Sequence, residues 1–150
     1  MARPVDTAAP SLVDDVSFLL ARANALALAA GNAALAEHGL KARSYSVLVL
    51  SLAADAPTQR DLAEFLRLDP SQVVALVDGL ETRGLVERRA DPSDRRVKVV
   101  VATPAGRALA ARAHVSAGEA EERAHAALSA DERETLRDLL RRVAFPGADG

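Results

Sequence analysis

No cysteine occurs among the 150 residues, which excludes disulfide staples, thiolate nucleophiles, Cys-ligated zinc and oxidant sensing through a thiol. Aromatic residues are scarce, with three Phe, one Tyr and no Trp. The chain also lacks a Gly-x-Ser-x-Gly elbow, a phosphate-binding loop and paired carboxylates in an apolar setting, so no catalytic residue and no cofactor are assigned. The opening segment, MARPVDTAAPSLVDD, carries acids where a signal peptide needs a basic start and an apolar core. No uninterrupted apolar stretch reaches membrane-spanning length, and the expectation is a cytoplasmic protein with no membrane partner.

Net charge is nearly absent too, at −2, but it is not evenly spread. Residues 1–40 hold two bases against four acids, 41–112 twelve against nine, and 113–150 five against eight. Within 83–107, seven bases (Arg83, Arg88, Arg89, Arg95, Arg96, Lys98 and Arg107) face three acids. A local basic cluster in a weakly acidic chain is the pattern of a patch that meets phosphate. The alternative is a charged hairpin kept only for solubility.

What is present in quantity is helical periodicity. Leu12, Val16, Leu19, Leu20, Ala23, Leu26, Ala27 and Ala30 recur at spacings of three and four, predicting a long Ala-rich helix to about Ala36. Such a helix exceeds what a small core covers, which favours a dimer contact over a purely internal role. Ser44 is expected to cap a second, very apolar helix that ends before Pro57. Thr58 with Asp61 reads as a capping box for a short third helix. Asp69 as N-cap and Pro70 at the first position open a fourth, with Val73, Leu76, Val77 and Leu80 inward and Gly84 as its stop. Leu85–Arg89 and Val97–Ala102 read as strands of a hairpin. Thr103 and Pro104 open a long helix through about Ala127, and Ser129 with Glu132 opens a last one carrying Leu136, Leu139, Leu140 and Val143. The fold class is mainly α with a small β-hairpin wing: two short helices meeting at a tight turn, followed at once by a basic hairpin, form a winged helix-turn-helix.

The segments DLAEFLRLDPSQVVALVDGLETRGLVERR and DPSDRRVKVVVATPAG, in this order of elements, resemble the MarR family of bacterial transcription regulators. The second is close to that family's wing signature of Asp-x-Arg, a strand and Thr-x-x-Gly opening a helix. The resemblance covers nearly the whole chain. It implies a single domain over 1–150, with dimerisation helices at 11–38 and 104–145 and a DNA-binding lobe at 44–102. It further implies a homodimer reading a palindromic duplex and a small organic effector, phenolic or anionic, bound between the dimer region and the DNA-reading lobe. The expected activity is that of a repressor which the effector releases.

The candidate DNA contacts are Thr58, Ser71, Gln72, Val74, Ala75, Arg88, Arg89, Asp94, Arg95, Arg96 and Lys98. Ser71 and Gln72 lie where a helix N-terminus favours phosphate; Gln suits an adenine edge, and Val74 or Ala75 a thymine methyl. Many family members carry a polar or basic residue where this chain has Val74 and Ala75, so affinity is expected to lean on phosphate and on the wing. Arg95 and Arg96 at the hairpin tip suit a narrow minor groove, with Asp94, and Asp91 beside it, holding a guanidinium in a fixed fork. Arg88, Arg89 and Lys98 suit backbone phosphate. By family analogy the effector crevice involves Phe18, Arg22, Tyr45, Val49 and His114. The three His are scattered, and only Glu37 with His38, or His114 with Glu119, offers a metal-ligand pairing; no metal site is assigned. A metal-responsive regulator of the same fold and a helical scaffold that binds an acidic protein are the alternatives.

Overall fold

Helix α1 (Val16–Leu35) starts where the Asp15 carboxylate accepts the Phe18 N–H at 2.8 Å. The computed structural model describes residues 11–148; a 3-10 turn at Leu12–Asp14 precedes α1 and another at Ala36–His38 ends it, where Gly39 turns left-handed at φ 64°. Then come α2 (Ala42–Leu50), α3 (Gln59–Leu66), α4 (Pro70–Thr82), β1 (Val86–Ala90), β2 (Lys98–Ala102), α5 (Pro104–Ala124) and α6 (Ala130–Ala144). Mainly helical architecture with a two-stranded antiparallel wing is the fold class expected.

The predicted caps at Thr58, Asp69, Thr103 and Ser129 all form. Ser44 departs from expectation: α2 begins at Ala42, and the Ser44 hydroxyl, one turn inside, accepts the Lys41 N–H at 2.9 Å. Leu85 and Val97 fall outside the strands, and α5 ends three residues early.

One core runs through the lobe. Leu40, Val47, Leu48, Leu62, Val73, Val77, Leu80, Val86 and Val100 are buried, with Leu109, Ala110 and Ala113 of α5 closing it. The wing pairs in register from Val86 opposite Ala102 to Ala90 opposite Lys98. Strand β2 is held on its other side as well, Val100 N–H donating to Pro57 O at 2.8 Å and Ala102 N–H to Ser51 O at 2.9 Å. These bonds fix the hairpin to the helical lobe and consume donors of what would otherwise be an open edge.

The Thr-x-x-Gly segment is a joint. Thr103 Oγ1 donates to Gly84 O at 2.6 Å and accepts the Gly106 N–H at 3.0 Å, while the Thr103 N–H reaches Leu85 O at 3.0 Å. A Cβ on Gly106 would stand 2.0 Å from Leu85 O, so the start of α5 crosses the entry to the wing backbone on backbone.

The outer helices are different. Of the 20 residues in α1 only Leu35 is buried, and α6 buries none. Val16, Leu19 and Leu20 instead form an apolar groove of about 700 Å³ with Leu136, Leu140 and Val143. The span Val16–His38 is also long and apolar enough, by length and composition, to cross a bilayer. Arg22, Asn24, Asn32 and Glu37 interrupt that alanine-rich run, so it is not the uninterrupted apolar stretch that the sequence was expected to lack.

Candidate nucleic-acid interface

The outward face of α4 carries Ser71, Gln72, Val74 and Ala75, all exposed, over the buried stripe of Val73, Val77 and Leu80. The helix start is already filled. Asp69 accepts the Ser71 N–H at 2.9 Å and the Ser71 hydroxyl, and Gln72 Oε1 accepts the Asp69 N–H at 3.3 Å. The Ser71 hydroxyl and then its N–H hold the Asp69 carboxyl below its usual range. The negative charge that a helix N-terminus attracts is therefore supplied by the chain itself. What remains open on this face is the Gln72 amide N–H and the apolar edge of Val74 and Ala75. Thr58 is likewise engaged, its hydroxyl donating to Asp61 at 2.7 Å and accepting the Asp61 N–H at 3.1 Å.

At the wing tip, Arg96 Nε donates to Asp94 Oδ1 at 3.1 Å and a terminal nitrogen to Oδ2 at 3.3 Å, with the Arg96 backbone N–H also on Oδ1 at 3.1 Å. This is the guanidinium fork expected of Asp94. Those bonds, side chain first, depress the Asp94 pKa. The Arg96 side chain stays 90 % exposed, so the fork aims the group without covering it. Asp91 does something else: it accepts the Ser93 N–H at 2.8 Å and hydroxyl at 2.7 Å, closing the turn.

The seven bases of 83–107 divide by partner. Arg83 donates to Gly39 O at 2.7 Å and His38 O at 3.0 Å, gripping the end of α1 from the residue after α4. Arg88 is mostly covered and meets Asp78 at 2.6 Å, Glu81 at 2.8 Å and Gln59 at 2.8 Å. Burial works against its charge, but the bonds to Asp78 and Glu81 outweigh that and raise its pKa. Arg88 therefore ties the wing to α3 and α4, where the sequence suggested a phosphate contact. Arg89 pairs with Glu87 at 2.8 Å in the open. Among the described residues Arg95, Lys98 and Arg107 have no ion pair, which leaves Arg95, Arg96 and Lys98 as the outward charge of the wing.

A family model described as the MarR family matches residues 38–97, from the end of the 3-10 turn after α1 through α2, α3, α4 and β1 to the residue before β2. The structure superposes on CouR from Rhodococcus jostii RHA1, solved with p-coumaroyl-CoA, at TM-score 0.83 and 45 % identity, covering 92 % of this chain and 97 % of that one. The chain belongs to the MarR family of DNA-binding transcriptional regulators. Its relatives also include a transcriptional repressor, CouR, solved on a 23-mer DNA duplex, with TM-score 0.83 and 30 % identity over 95 % of this chain and 99 % of that one. YdgJ of Bacillus subtilis, an HTH-type transcriptional regulator, is 30 % identical over 105 residues; the match spans 70 % of this chain and 64 % of YdgJ. These are regulators, not enzymes.

Of the residues that MarR resemblance assigned to an effector crevice, the structure joins two. Tyr45 Oη and His114 Nδ1 lie 3.1 Å apart, linking α2 to α5, and burial raises the Tyr45 pKa. Phe18 is half-buried, Arg22 is exposed, and Val49 is 38 % exposed. The pairing of Glu37 with His38 does occur, at 3.4 Å, but Ser116 completes it: its hydroxyl donates to Glu37 at 2.9 Å and lies 2.9 Å from His38 Nε2. Among the described residues no cluster of three His, Asp or Glu side chains forms. Sequence reasoning missed Gln59, Asp78 and Glu81 as partners of Arg88, and Ser116 as the partner of His38. Asp78 and Glu81 lie three apart on one face of α4, which was a readable signal; Gln59 and Ser116 gave none.

Proposed function

We propose that the protein is a homodimeric repressor that binds a palindromic duplex with α4 in the major groove and the wing in the minor groove, and that a small organic effector releases it. The observation that carries this is the Asp94–Arg96 fork, an exposed guanidinium held in one orientation beside unpaired Arg95. A preset fork loses less conformational freedom on entering a groove than a free arginine does. Binding DNA implies a cytoplasmic protein. The apolar groove between α1 and α6 supports the dimer, since neither helix covers the other's face within one protomer. The Tyr45–His114 pair, a phenol and an imidazole between α2 and α5, supports an effector there that is phenolic or anionic. The CouR structure with p-coumaroyl-CoA supports the same class.

The test is fluorescence anisotropy on the DNA upstream of the protein's own gene against a scrambled duplex, across salt concentrations. Wild type is expected to prefer the upstream DNA. Arg95→Ala/Arg96→Ala is expected to bind more weakly, with a salt slope shallower by about 0.9 for each phosphate that is no longer neutralised. No preference in wild type, or an unchanged double variant, counts against the reading.

A further inference from the structure

Three helix-end turns of the lobe need a residue in the left-handed region, and the chain fills them unequally. Gly39 after α1 (φ 64°) and Gly84 after α4 (φ 70°) are glycine, as conformation alone dictates. The third, at the turn between α3 and α4, is Arg67 with φ 54°, the one non-glycine residue with positive φ among those described. Its backbone does the capping, Arg67 N–H reaching Glu64 O at 3.4 Å and Leu68 N–H reaching Ala63 O at 3.0 Å. Its side chain takes no part: the guanidinium has no ion pair and no hydrogen bond among the described residues. Nothing in the fold asks for arginine at a position where glycine is less strained.

The side chain borders a groove of about 740 Å³ between α3 and α4, together with Gln59, Arg60, Pro70 and Val74. Two of these tie the groove to the DNA-reading face. Val74 lies on the outward face of α4 and Gln59 holds Arg88 of the wing. Glu64 is the one acid on its wall, and it is already matched by Arg60 at 3.0 Å. The unmatched charge in the groove is Arg67, and a cation there suits a strand of phosphates running past the start of α4.

Building on the DNA-binding reading above, we propose that Arg67 contacts a backbone phosphate of the operator, so that the turn of the helix-turn-helix is itself part of the DNA interface. A phosphate contact carries no base information, so its removal weakens all sequences alike.

The experiment compares wild type, Arg67→Gly, Arg67→Asn and Arg67→Lys by anisotropy on upstream and scrambled duplexes over a salt series, with thermal unfolding in parallel. Glycine relieves the turn, asparagine tolerates it without charge, and lysine restores a point charge. Arg67→Gly is expected to raise Tm by about 2–4 °C while weakening both duplexes by a similar factor, about 3- to 10-fold, with a salt slope shallower by about 0.9 per protomer. Arg67→Asn is expected to bind like Arg67→Gly, and Arg67→Lys to recover most of the affinity. Wild-type binding with Arg67→Gly unchanged overturns this assignment alone, and so does a weakening confined to the upstream duplex, which would mark a base contact. A wild type that binds neither duplex overturns the DNA-binding reading and this contact with it.

Discussion

A single missing methyl explains one of the family-like signatures. Thr-x-x-Gly reads as a motif in the sequence, and in the structure it is the place where α5 crosses Leu85 with no room for a side chain. Thr103 fills the remaining polar needs by bonding Gly84 O and the Gly106 N–H. Relief of a contact at 2.0 Å from a carbonyl oxygen requires the backbone of α5 or of the wing entry to move. Gly106→Ala is therefore expected to destabilise the protein by roughly 3 kcal/mol or more, at the severe end of single substitutions. Urea unfolding measures it. A destabilisation below about 0.5 kcal/mol, the range of an ordinary surface substitution, would show that the joint is looser than its geometry.

At the scale of elements, much of the lobe was legible because its helix boundaries, the start of α2 excepted, carry their own chemistry. Thr58, Asp69, Thr103 and Ser129 could be read as caps from residue type and spacing, since a cap is a local contact within one turn. The fork at Asp94 and Arg96 was legible for the same reason, being two residues apart. The fate of Arg88 was not, because Gln59 lies 29 residues away and meets it only after β1 packs on α4. Arg88 joins three elements, and in the proposed complex these must keep one relative orientation for α4 and the wing to reach two grooves at once. Its removal leaves Asp78 and Glu81 facing each other without a cation. Arg88→Ala is expected to cost about 1–3 kcal/mol of stability and to weaken DNA binding without changing the salt slope. Arg88→Lys restores little, having no planar fork. Thermal unfolding and anisotropy across salt decide the matter: an unchanged Tm with a slope shallower by about 0.9 would return Arg88 to the phosphate contacts.

Taken whole, the molecule keeps its polar specificity in the lobe and its unspent apolar surface on α1 and α6. The lobe's core is closed, whereas Val16 is 70 % exposed and Val143 67 %. That imbalance explains why the long first helix passes for a membrane span: its apolar surface is left open within the protomer, and composition does not say what covers it. In the proposed homodimer a second copy would cover both helices at once by a two-fold axis and set two wings for the two halves of a palindrome. Each Leu or Val side chain fully covered there contributes about 1.5–3 kcal/mol, so a charge in the middle should dissociate the pair. Leu140 lines the groove and is partly exposed in one protomer, which lets Leu140→Asp test the interface without opening the lobe's core. Sedimentation equilibrium is expected to show a dimer for wild type and a monomer for Leu140→Asp, with far-ultraviolet circular dichroism still helical. The monomer's affinity for the palindromic duplex should fall by about two orders of magnitude or more, because the second head no longer binds at high effective concentration. A variant that stays dimeric, or a wild type that sediments as one chain, would place the dimer contact elsewhere or remove it.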